Sequence, residues 1–144
     1  MIRPRGRLLA PLALALALLL GACAITSHYD ATSYQNATNL KAEALLLIER
    51  AKDPPAKHTA AIEGVRLRLL QAYEYERGKG RPNRPTVEQW RLLLDPDAAL
   101  LGGFLKKWKA ENTGQSDAFL KGIAKNVGDA FDEIIKLQSA KVKD

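Results

Sequence analysis

The chain has 144 residues, a formal net charge of +6, one cysteine and two histidines. That length makes one domain with a modest core. A lone cysteine excludes an internal disulfide framework. Two histidines without neighbouring cysteines or a Glu-x-x-His pattern exclude the common zinc sites.

The first 22 residues differ from the rest. Arg3, Arg5 and Arg7 come with no acidic residue, an apolar run fills 8–20 with only Pro11 breaking it, and Leu20-Gly21-Ala22-Cys23 closes the segment. A positive start, a short apolar middle and small residues before a cut site describe a secretory signal peptide. As a helix the run reaches about 20 Å, short of a hydrocarbon core of roughly 30 Å. Its arginines are not adjacent, so the twin-arginine export pattern is not met. The leader holds three of the basic residues and none of the acidic ones. Losing it leaves 122 residues and lowers the balance from +6 to +3, which is no nucleic-acid footprint.

Leu20-Gly21-Ala22-Cys23 resembles the lipobox of bacterial lipoproteins: an aliphatic residue, two small ones and an obligatory cysteine. The resemblance covers the leader and Cys23 and reaches no particular family for the domain beyond. It implies a diacylglycerol on the Cys23 thiol, cleavage between Ala22 and Cys23, and acylation of the new amine. It also implies that the membrane is a partner through the anchor at Cys23. One acyl chain of myristoyl size binds only marginally, whereas two or three attach a protein essentially for good. In Gram-negative lipoproteins an Asp after the cysteine favours the inner membrane. Ala24 stands there instead, so the resemblance implies the outer membrane, with the domain facing the periplasm. Residues 1–22 are thus expected to be the signal peptide, 23–29 the lipidated cysteine and a short tether, and 30–144 a helical domain.

Helical spacing dominates that domain. The first helix is expected to begin near Asp30 or Thr32, both good caps, and to run to Lys52. Ala37, Leu40, Ala44, Leu47 and Ala51 form its apolar face, widened by Leu45, Leu46 and Ile48. Asp53-Pro54-Pro55 stops it, because a residue before proline is pushed out of helical conformation. A second helix runs from about Thr59 to Arg77 or Gly78, with Ile62, Val65, Leu69 and Tyr73 on one face.

Residues 78–85, rich in glycine, proline and basic side chains, are a loop by composition. Thr86 and Gln89 have capping-box spacing and predict a third helix with Val87, Trp90, Leu93 and Leu94 inward. Asp95-Pro96 has the chemistry to cap and open a fourth helix. That helix carries Leu101, Phe104, Leu105 and Trp108, with Gly102-Gly103 a weak point where a kink is expected. Asn112-Thr113-Gly114 is a turn and Ser116 an N-cap. The last helix, from Asp117 to about Val142, has Leu120, Ile123, Val127, Ala130, Ile134, Leu137 and Lys141 alternating by three and four, flanked by Phe119, Phe131 and Ile135. That alternation belongs to helices packing at a shallow angle. No strand pattern occurs, so the expected fold is an all-α bundle of four or five helices.

No constellation in the sequence identifies an enzyme. Gly78-Lys79-Gly80 lacks the spacing and the preceding strand of a phosphate-binding loop. The carboxylates are scattered, with none singled out as a catalytic acid, and no serine, histidine and aspartate group as a triad. His28 and His58 fall on the tether and at a helix start, so neither a metal nor a cofactor is expected. The one dense basic run is Arg77, Lys79, Arg81 and Arg84, close to Tyr73, Tyr75 and Trp90. On an envelope protein such a run suits lipid headgroups or anionic wall polymers. Two functional expectations follow. One is a structural or interaction protein offering a face to an envelope partner. The other is a binding module for an anionic envelope ligand through residues 77–84.

Overall fold

The computed structural model describes residues 28–141. Residues 1–22, Cys23 and the start of the expected tether lie outside that range. The described chain contains five helices and no strand: α1 Ala31–Arg50, α2 Thr59–Gly78, α3 Arg84–Leu94, α4 Leu101–Glu111 and α5 Asp117–Ser139. Short 3-10 turns cover Pro55–His58 and Arg81–Asn83. None of these helices is long and apolar enough to cross a membrane. The all-α bundle expected from the periodicity is the fold observed.

Four helices close a ring. α1 packs most extensively against α5, α5 against α3, α3 against α2, and α2 back against α1. The α1 face, Ala37, Leu40, Ala44, Leu47 and Ala51, is fully buried together with Ile48, whereas Leu46 turns to solvent. Its alanines let α5 approach closely. Trp90 of α3 meets Phe131 of α5 edge to face, with centroids 5.9 Å apart, a geometry that suits aromatic quadrupoles. Every helix of the ring and its core lies within residues 31–139.

Short α4 covers the end where α1 stops. Trp108 stacks on Phe104 at 5.6 Å and donates its indole N–H to the Asp53 carbonyl at 3.1 Å. The Gln115 amide donates to the Ala51 carbonyl at 2.8 Å, which ties the α4–α5 turn to the same point. Asn112 ends α4 in the left-handed region at φ 51°, a conformation asparagine tolerates.

Two helix starts differ from the sequence reading. α3 begins at Arg84 with Asn83 at the cap position, and Thr86 is buried inside the first turn instead of capping it. The Asn83 side chain is engaged elsewhere, as described below. α4 begins at Leu101, not at Asp95-Pro96. Asp95 closes a local turn, accepting the Asp97 amide at 2.9 Å and, through its carbonyl, the Ala98 amide at 3.3 Å. Gly102 and Gly103 therefore sit in the first turn of α4, and no kink interrupts that helix. Their role is close approach. A Cβ on Gly102 would lie 2.3 Å from the Leu94 carbonyl oxygen, and one on Gly103 1.9 Å from that of Ala98.

The α5 seam differs as well. Its buried line is Leu120, Ile123, Val127, Phe131, Ile134 and Gln138, while Ala130 and Leu137 are half-buried. Those steps average 3.6 residues per turn, the value of a straight helix, and not the 3.5 of a supercoil seam. A strict three-four alternation drifts off the core face by about 20° per heptad, and Phe131 and Gln138 take over where Ala130 and Leu137 rotate away. The helix ends at Ser139, so Lys141 lies beyond it.

The glycine pair makes a direct prediction. Gly103→Ala sets a methyl against backbone, which cannot swing aside as a side chain can. The variant is expected to lose at least the roughly 1–3 kcal/mol typical of overpacked sites, read as a lowered urea midpoint. A midpoint equal to wild type would mean the close approach is not required.

Candidate functional site

The four basic side chains of 77–84 do not form one patch. Arg77, in the last turn of α2, faces solvent and pairs with Glu74, with Nη2 2.7 Å and Nε 2.9 Å from the same carboxylate oxygen. Lys79 turns inward. Its side chain is 19% exposed, and Nζ lies 2.8 Å from Asp30 Oδ2 and 3.3 Å from Glu76 Oε1. It also donates to the Ser33 hydroxyl and sits 4.7 Å from the centroid of the Tyr75 ring. Arg81 and Arg84 are exposed, and neither guanidinium makes an ion pair or hydrogen bond among the described residues. Gly80 turns the chain between Lys79 and Arg81 with a φ of 78°, which a residue with a Cβ rarely adopts.

Beneath this turn lies a buried polar cluster that joins four segments. Glu76 is 1% exposed although it carries a carboxylate. It accepts from Asn83 Nδ2 at 2.6 Å and reaches Gln138 Nε2 at 3.5 Å. The Asn83 amide also donates to the Glu76 carbonyl at 2.8 Å, and its oxygen accepts from Lys141 Nζ at 2.7 Å. Asp30 accepts the Thr32 amide at 2.8 Å, closing the start of α1, and the Tyr75 hydroxyl at 2.7 Å. The start of α1, the end of α2, the 81–83 turn and the end of α5 thus meet at one end of the bundle.

Among the described residues, charge inside the cluster is balanced: Asp30 and Glu76 against Lys79 and Lys141. Partial burial pushes the Asp30 carboxyl up. Hydrogen bonds from Lys79 and Tyr75, with the Lys79 charge, outweigh that and hold it well below the usual carboxylate range. The Tyr75 hydroxyl is raised, first by donating to Asp30 and then by burial. Burial also lowers Lys141, and the nearby Glu76 charge opposes this only in part.

Glu76, Asn83 and Gln138 were not singled out by sequence. The signal that finds Glu76 is the α2 stripe itself. Ile62, Val65, Leu69 and Ala72 are buried, Tyr73 only partly, and the next step of that line is Glu76. Ser33 extends the α1 line outward in the same way, and Gln138 the α5 line.

Elsewhere the surface offers an apolar cleft of about 370 Å³ between α2, the end of α3 and α4. Leu69, Leu70, Leu93, Leu94, Pro96 and Leu105 line it, with Arg66, Lys106 and Lys109 around them. His58 lies under the opposite end, its ring 6.0 Å from Trp108 and Nε2 3.5 Å from Asp53. Among the described residues no three His, Cys, Asp or Glu side chains converge as a metal site needs. No family model, no curated protein and no solved structure matches the chain.

The cluster has a pH signature. The native Asp30 carboxyl binds its proton more weakly than an unfolded one, whose pKa is about 3.9. Its stabilisation is therefore complete above about pH 5 and declines as pH falls through 4 toward the native value. Asp30→Asn keeps a capping side chain but removes the charge facing Lys79. It is expected to cost roughly 1–3 kcal/mol at pH 7, and the gap to wild type should narrow below pH 4. Urea midpoints at neutral and acid pH check this, and a gap that widens in acid would overturn it.

Proposed function

We propose that this protein is a lipid-anchored lipoprotein of a bacterial envelope, with a helical domain that acts as a structural or interaction module rather than as an enzyme. The observation that carries this reading is Leu20-Gly21-Ala22-Cys23 at the end of the apolar run. The start of the fold supports it. Asp30 caps α1 seven residues after Cys23, and seven residues span at most about 25 Å. The domain would stand close against its membrane. Ala24 in place of Asp favours the outer membrane, with the domain in the periplasm.

A second reading, an anionic envelope ligand at the basic turn, is favoured by one observation. Among the described residues Arg81 and Arg84 are exposed and uncompensated, whereas Arg77 is paired with Glu74 at the surface and Lys79 is turned into the cluster. The ligand face would be narrower than the four-residue run suggests.

The anchor is tested at its thiol, since only a thiol takes the diacylglycerol. Mass spectrometry of the protein extracted from membranes should find Cys23 as the lipid-modified N-terminal residue, and Cys23→Ser should abolish both the modification and the cut before it. An unmodified Cys23 on freely soluble protein would overturn the reading. Cross-linking in intact cells then identifies what the anchored domain contacts.

A further inference from the structure

We infer that Arg81 and Arg84 rest on anionic lipid headgroups of the leaflet that holds the anchor, so that the domain stands end-on with its polar-cluster end toward the membrane. The inference rests on the lipid-anchor reading for where the membrane lies, although its test does not.

Three observations converge on it. First, the two arginines share an end with the start of the fold. Asp30 touches Tyr75 and Lys79 at 2.7 and 2.8 Å, and the 81–83 turn is tied to the same cluster through Asn83 and Glu76. Whatever holds the chain before residue 28 therefore pulls on the end that carries Arg81 and Arg84. Second, other charges at that end are matched among the described residues. Lys79 and Lys141 face Asp30 and Glu76 inside the cluster, and Arg77 pairs with Glu74. Among the described residues, the two guanidinium groups remain as the outward charge. Third, the chemistry fits. A guanidinium is planar, is weakly hydrated and binds phosphate oxygens in pairs. The turn that presents both is fixed by the buried Asn83, so little order is lost on contact.

Tether length decides between a headgroup and a wall polymer. With about 25 Å at most between Cys23 and Asp30, the end face is held at the leaflet, where phosphates are densest. A polymer further out would meet the other end, around Lys109 and Lys121. Lys109 lines a hollow with Pro55 and Asn112, and Lys121 one with Lys52 and Asp117, both where α1 stops.

The test uses residues 24–144, which carry the whole core but neither leader nor lipid. Binding is measured to vesicles of phosphatidylcholine with and without about a third phosphatidylglycerol, at low salt. The chain should bind the anionic vesicles preferentially, and less so as salt rises. Arg81→Gln with Arg84→Gln should weaken that binding about 30-fold, from about 1 kcal/mol for each basic residue at an anionic surface. Lys109→Gln with Lys121→Gln removes the same charge at the other end and should change binding by less than about 3-fold.

Equal losses in the two double variants would overturn the end-on orientation. So would equal binding to both vesicle types, or tighter binding to purified wall fragments than to anionic vesicles. All four sites are exposed, so matching circular dichroism and urea midpoints confirm that the variants are folded. Because this chain carries no lipid, failure here leaves the Cys23 reading standing, and an unlipidated Cys23 leaves the vesicle result unchanged.

Discussion

A carboxylate buried where an apolar side chain belongs sets the terms for one end of this molecule. Glu76 occupies the next position of the α2 core line yet is 1% exposed. A charge removed from water costs several kcal/mol unless neighbours replace the lost solvation. Asn83 and Lys79 supply that replacement, with Gln138 close by. Each comes from a different part of the chain, so satisfying Glu76 fixes where the turn after α2 goes and where α5 ends. Such a network adds less net stability than its contacts suggest, because its desolvation cost offsets much of the attraction. Its contribution here is positional: it joins elements that apolar packing alone would leave free to slide.

The other end is built by the opposite means. There Trp108 and Phe104 stack beneath α4, the Asp53 carbonyl receives the indole N–H, and the α4–α5 turn hydrogen-bonds to Ala51. Backbone passes so near backbone that Gly102 and Gly103 have no room for a Cβ. One end is closed by shape and apolar area, the other by paired charge. The difference matters under acid. Protonating Asp30 removes the charge that faces Lys79, so acid weakens the point where the chain enters the fold.

Much of this was legible in the sequence. The α1 line, the turn after it, the Asp30 and Ser116 caps and the count of helices all follow from period and punctuation, because each is a local property. What was not legible depended on long-range contacts. Thr86 has the right spacing for a capping box, but Pro82 and Pro85 start the turn and the helix earlier, and Asn83 is committed to Glu76. Asp95-Pro96 has helix-opening chemistry, but α4 must begin later for its glycines to meet the Leu94 and Ala98 carbonyls. The α5 alternation fits a heptad by residue type, and the helix obeys its own 3.6 period, so Phe131 displaces Ala130 from the core. In the basic run, sequence could group Arg77, Lys79, Arg81 and Arg84 but could not divide them. That division needed the inward turn at Gly80 and the partners Glu74, Asp30 and Glu76.

The division also bears on what the domain can do. A fold of this kind hosts many tasks, so function has to be argued from sites. Had all four cations faced outward, they would form a diffuse basic loop of uncertain orientation. Instead Lys79 is consumed in holding the turn, Arg77 is neutralised in place, and Arg81 and Arg84 stand out from a rigid support. The internal ion pairs thus serve the exposed charges. They leave the cluster itself neutral, and they fix the backbone that aims two guanidinium groups away from the bundle at the end where the chain enters it. Weakening the cluster should therefore blur the direction of that surface charge without changing its amount.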